Sequence, residues 1–171
     1  RGLEVLLDIK WQDIPNTVAG AVRSARDLGV AMATVHTTGG PAMLEAAREA
    51  AGDALAIVGV TILTSHDPAT LGAAIGRTSP VIADEVARLA RLAASAGLAG
   101  VVCSPQEVSI VRPCLGAGAL IVVPGIRRSS DAAGDQVRVG TPRDAARDVA
   151  THLVVGRPIL QAGDPAAVLA E

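Results

Sequence analysis

The run Leu3-Glu4-Val5-Leu6-Leu7-Asp8-Ile9-Lys10-Trp11-Gln12-Asp13-Ile14-Pro15-Asn16-Thr17 decides how the rest of the chain is read. Aliphatic residues crowd Leu3 to Ile9 without strict alternation, the pattern of a strand covered on both faces. Polar residues follow, and Pro15 opens a segment of helical period over about 16–28. A proline's fixed φ and missing N–H suit the first turn of a helix. Strand, polar turn and helix therefore fall within one short stretch.

The same order recurs along the chain. Aliphatic runs at Val30 to His36, Ala56 to Leu63, Gly100 to Cys103, Ala119 to Val123 and His152 to Val155 alternate with helix-like segments near 41–51, 81–96, 105–113, 141–149 and 164–170. Six βα units predict an α/β protein with a parallel sheet. No GxGxxG follows the first strand and no GxxxxGK[ST] occurs, so dinucleotide-binding and P-loop folds lack support. A (β/α)8 TIM barrel fits better. Such a barrel has eight units and typically about 200–250 residues or more, so we read residues 1–171 as a single barrel domain, N-terminally incomplete, with about two βα units missing.

Composition narrows the function. A net charge of −2 and one aromatic residue, Trp11, provide neither a basic field nor stacking platforms, which excludes nucleic-acid binding. No apolar run reaches the roughly 18–20 residues of a membrane span; the expectation is a soluble, cytoplasmic protein without membrane contact. Cys103 and Cys114 form no CxxC or His/Cys cluster, so we expect buried thiols and no metal. With Phe and Tyr absent, the core is expected to be aliphatic.

Of fifteen basic residues fourteen are Arg, and the one lysine, Lys10, lies between Asp8 and Asp13. Lys can yield and recover a proton, whereas Arg remains charged. On a regular strand residues 8 and 10 project to one side, so both would reach the mouth of a barrel. Neighbouring carboxylates favour the ammonium, making Lys10 a candidate general acid. Asp13 has two readings, a second carboxylate of this group or a helix N-cap. Other competent residues also follow strand ends. They are His36 (base or structural hydrogen-bonder), Thr64 and Ser65, Arg127 with the polar loop 128–138 (ligand cover or solvated connection), and Gly156-Arg157 before Pro158. The last group suits phosphate, through a backbone N–H, a helix start and a guanidinium fork.

DIKWQDIPNT (8–17), TVHTTGG (34–40), VTILTS (60–65), VVCS (101–104), VVPGIR (122–127), AGDQ (133–136) and VVGRPI (154–159), in that order, resemble the bacterial-type orotidine 5'-monophosphate decarboxylase family. The resemblance implies conversion of orotidine 5'-monophosphate to UMP on a homodimer with shared active sites and no cofactor. It implies that Lys10 protonates C6 and that Asp8 lies against the substrate carboxylate. Asp13 and Thr17 would serve the partner's site. Thr64 and Ser65 would bind the base, and Arg127, Gln136, Gly156 and Arg157 the phosphate. The family also carries a ribose-binding aspartate and a second lysine on earlier strands, which this chain lacks. Two alternatives stand beside it: a magnesium-dependent phosphosugar decarboxylase or aldolase sharing DxKxxD, and a non-catalytic nucleotide-binding barrel fragment.

Overall fold

A computed structural model of the chain describes residues 2–126, 138, 140, 141 and 149–170, with 169 and 170 described by backbone alone. Six strands form one sheet in sequence order: β1 (Leu6–Trp11), β2 (Met32–His36), β3 (Ala56–Val60), β4 (Gly100–Val102), β5 (Leu120–Val123) and β6 (His152–Leu153). Every neighbouring pair is parallel. This is the six-unit βα order of the expected barrel.

The helices are α1 (Pro15–Asp27), α2 (Pro41–Ala51), α3 (Pro68–Ile75), α4 (Ile82–Ser95), α5 (Val108–Val111), α6 (Arg157–Leu160) and α7 (Pro165–Ala170). α1 buries Val18, Ala19, Val22 and Ala25, and α4 buries Val86, Leu89, Ala90 and Ala93. Both sets recur at helical spacing, giving each helix one apolar stripe toward the sheet.

Adjacent strand residues enter different apolar clusters, which explains the unbroken apolar runs. Ile57, Val101, Ile121 and Val123 pack with the helices. Val58, Val60, Val102 and Val122 form a second cluster on the opposite face. The interior is aliphatic as expected, with Met43 and Leu44 among its largest fully buried side chains.

Element ends differ from the sequence reading by up to three residues, as at β3, which ends at Val60 instead of Leu63, and two elements differ outright. The first strand begins at Leu6 instead of Leu3 and continues through Trp11. α3 was not expected; Asp67 caps it by accepting from the Thr70 N–H at 2.7 Å, while the Thr70 hydroxyl accepts from the Asp67 N–H at 2.9 Å. The helix expected over 105–113 is divided into a 3-10 turn (Pro105–Glu107), the single α turn α5, and another 3-10 turn (Arg112–Cys114) containing Pro113. Most of the helix expected over 141–149 lies outside the described residues.

Leu44 has no solvent exposure. Leu44→Ala should therefore cost about 2–5 kcal/mol in lost transfer energy and cavity formation, measured by equilibrium denaturant unfolding. A loss below about 1 kcal/mol would show that the α2–sheet layer collapses around the deletion.

Candidate functional site

The first strand is irregular at the lysine. Leu6 pairs with Met32 and Leu7 with Ala33, but the next pair is Trp11 with Val35. Asp8, Ile9 and Lys10 therefore stand opposite Thr34 alone, a bulge in β1. Lys10 has φ of 60°, in the left-handed region, which costs a non-glycine residue about 1–2 kcal/mol.

Thr34, 1% exposed, offsets that cost. Its Oγ1 accepts the Lys10 backbone N–H at 2.9 Å and donates to Asp8 Oδ1 at 2.9 Å. A neutral hydrogen bond contributes about 0.5–1.5 kcal/mol and one to a charged group about 1.5–3, so the pair outweighs the strain. Asp8 Oδ2 accepts from Lys10 Nζ at 2.7 Å. With side chains 33% and 48% exposed, this ion pair contributes at most about 1 kcal/mol to stability. Residues 8 and 10 meet as expected, but through a bulge, not through the regular strand alternation assumed from their spacing.

His36 ends β2 beside this pair. Partial burial and the Lys10 charge lower its pKa below the ordinary histidine value, while the Asp8 charge opposes them. The imidazole is therefore neutral at pH 7. Asp13 does not cap α1. The N-cap residue is Ile14, and the Asp13 carboxylate accepts the adjacent Ile14 N–H at 2.6 Å, leaving Asp13 exposed. Thr17, in the first turn of α1, is also exposed.

Thr64 is buried and Ser65 exposed in the turn between β3 and α3. That turn is fastened by Arg138, which sequence reasoning missed. Its backbone N–H donates to the Thr64 carbonyl at 3.2 Å, and its guanidinium donates to the carbonyls of Ile62 and Leu63 at 3.2 Å and to that of His66. Arg138 Nε lies 2.7 Å from Glu107 Oε1, an ion-pair distance without hydrogen-bond alignment. Glu107 Oε2 also accepts the Ser104 N–H at 2.9 Å. Ser104-Pro105-Gln106-Glu107 carries the S-x-x-E spacing of a capping box, the signal that announces Glu107. Burial, and next the Glu107 charge, push the Cys103 thiol pKa far up, keeping it protonated.

Gly156 precedes α6 after β6, and a Cβ placed there would meet nothing within 4 Å. Arg157 is exposed at the first position of α6. Arg127 and Gln136 lie outside the described residues, as does loop 128–138 apart from Arg138. Among the described residues no three His, Cys, Asp or Glu side chains gather as a metal site requires, and no helix is long and apolar enough to cross a membrane.

A parallel βα sheet with Lys10, His36, Thr64 and Arg157 toward or just beyond its strands' carboxyl ends, and Asp8 paired to Lys10 from within β1, is the arrangement of the (β/α)-barrel class. The family model described as "Orotidine 5'-phosphate decarboxylase / HUMPS family" matches residues 1–171, and the chain belongs to that family. It is 54% identical to orotidine 5'-phosphate decarboxylase of Halorhodospira halophila, over 99% of this chain and 72% of that protein. Against the enzyme of the same name from an Anaeromyxobacter species it is 52% identical, over 97% and 72%. Among crystal structures, orotidine 5'-phosphate decarboxylase from Lactobacillus acidophilus superposes with a TM-score of 0.84 at 34% identity, covering 99% of this chain and 73% of that one. The protein of that name from Pyrococcus horikoshii gives 0.75 at 26% identity, with 99% and 72% covered.

Two outcomes test the site's electrostatics. Glu107→Ala strands the buried Arg138 guanidinium and should cost about 3–5 kcal/mol in denaturant unfolding; a loss below about 1 kcal/mol would show that the backbone carbonyls of the β3–α3 turn hold the guanidinium without the carboxylate. For His36, removing the Lys10 charge removes one influence that lowers its pKa. Its NMR titration midpoint should therefore lie below 6.5 in the parent and move upward in Lys10→Met; a downward move contradicts the geometry.

Proposed function

We propose that this chain catalyses decarboxylation of orotidine 5'-monophosphate to UMP, with Lys10 as the proton donor. The observation that carries this reading is the chain's one lysine held 2.7 Å from Asp8 at the bulge of β1, in a sequence half identical to orotidine 5'-phosphate decarboxylases. The bond from C6 to the carboxylate breaks and CO2 leaves. The electron pair stays on C6, and the Lys10 ammonium transfers a proton to that carbon. A cation fixed in place before the reaction stabilises the charge as it develops. Asp8, already bound to Lys10 and Thr34, lies against the departing carboxylate and disfavours the bound ground state.

Thr64 and Ser65 hydrogen-bond the pyrimidine, and Arg127, Gln136, Gly156 and Arg157 hold the phosphate, whose binding energy supports chemistry at the distant carbon. The open space before Gly156 supports close approach of the phosphate. The protein acts in the cytoplasm as a homodimer. Exposure of Asp13 and Thr17, beside the 67%-exposed Ile14, supports their service to the partner's site.

Loss of orotidine 5'-monophosphate absorbance, followed with the protein that carries this chain, tests the reading. Lys10→Ala should lower kcat by about 10²–10⁴-fold, the scale of a lost general acid, and EDTA should leave the parent unchanged. Parent-like turnover by the Ala variant removes Lys10 from the chemistry. Activity abolished by EDTA transfers the reading to the metal-dependent phosphosugar branch.

A further inference from the structure

Resting on the decarboxylase reading, we infer that Thr34 is a positioning residue: its hydroxyl sets the geometry of the Asp8–Lys10 pair by tying the Lys10 backbone to the Asp8 carboxylate. Four groups close a ring. The Lys10 N–H donates to Thr34 Oγ1, which donates to Asp8 Oδ1, and Asp8 Oδ2 accepts from the Lys10 ammonium. A hydroxyl has one proton and two lone pairs, and Thr34 directs the proton at the carboxylate and a lone pair at the amide. A side chain without an oxygen can do neither.

The placement of Thr34 suits this role. It lies in the middle of β2, in unbroken register with Val58 of β3, so its Cα is held by a regular ladder. β1 departs from regular pairing opposite this residue, and Lys10 is the one β1 residue with positive φ. Side-chain packing fixes the hydroxyl, because Thr34 is 1% exposed and a β-branched residue is stiff at χ1. The carboxylate and ammonium are by contrast half-exposed and on their own free to reorient. Order thus passes from the buried threonine to the exposed pair.

Thr34→Ser and Thr34→Ala differ from each other in the hydroxyl alone, and comparing them separates its role from packing. Ser should keep kcat within about threefold of the parent and Ala should lose about 10²-fold, the scale of a misplaced reacting group. UMP affinity should be retained in both, since the phosphate contacts are remote. A Ser-to-Ala kcat ratio below about tenfold, or a parallel collapse of kcat and UMP affinity in both variants, overturns the inference. If Ala does not fold, Thr34→Val supplies the hydroxyl-free variant with the β-branch intact. A parent that does not turn over orotidine 5'-monophosphate sinks the decarboxylase reading instead. The hydroxyl's role is then read from hydrogen exchange at the Lys10 amide, expected to be faster in Ala than in Ser; equal exchange overturns it.

Discussion

Parallel pairing between consecutive strands is the constraint from which the rest follows. A parallel neighbour cannot be reached by a tight hairpin, so the chain must cross back over the sheet between strands. In this protein α1, α2 and α4 lie on such crossovers and bury their apolar stripes against one face. The valines on the other face pack with one another and with Met32, Leu63 and Leu120 in the small second cluster. Because all strands run one way, the residues that follow them emerge together, and side chains more than a hundred positions apart share one rim. Lys10 and Arg157 belong to the same face for this reason.

On that rim, rigidity and exposure are divided between neighbouring residues. The Asp8–Lys10 pair is solvated enough to contribute little to stability, and its backbone is strained. Thr34 and the β2–β3 ladder hold it from below. Arg138 and Glu107 do the same for the β3–α3 turn, where a buried guanidinium satisfies successive carbonyls. Both arrangements place a polar group with several hydrogen bonds beneath a segment that would otherwise lack fixed partners, at the cost of desolvating that group.

The fold was legible because two-sided burial leaves a strong trace: six aliphatic runs, each beside a helical segment. Boundaries were less legible where backbone chemistry overrode pattern. The helix expected over 105–113 is broken into single turns around Pro113, and α3, announced by Asp67-Pro68 and closed by Gly76, was hidden by its weak apolar period. In the candidate site, the meeting of Asp8 and Lys10 could be read from their motif. Their geometry could not, since spacing alone does not distinguish a regular strand from a bulge. Thr34 opens the TVHTTGG motif, but its role carried no signal, because a threonine inside an aliphatic strand reads as a β-former until its partners are known. Arg138 was likewise hidden among the other arginines.

Trp11, next to the strained lysine, has a practical consequence. It is the one aromatic residue in the chain, paired with Val35 just past the bulge and packed in part against the main core. Any intrinsic fluorescence of this chain therefore comes from one indole, a single peptide unit from Lys10. A nucleotide that displaces water from the ammonium or shifts the bulge alters the surroundings of that fluorophore, with no second emitter to dilute the signal. The same scarcity leaves the near-ultraviolet absorbance of the chain low, so a pyrimidine can be followed against a quiet background without a label.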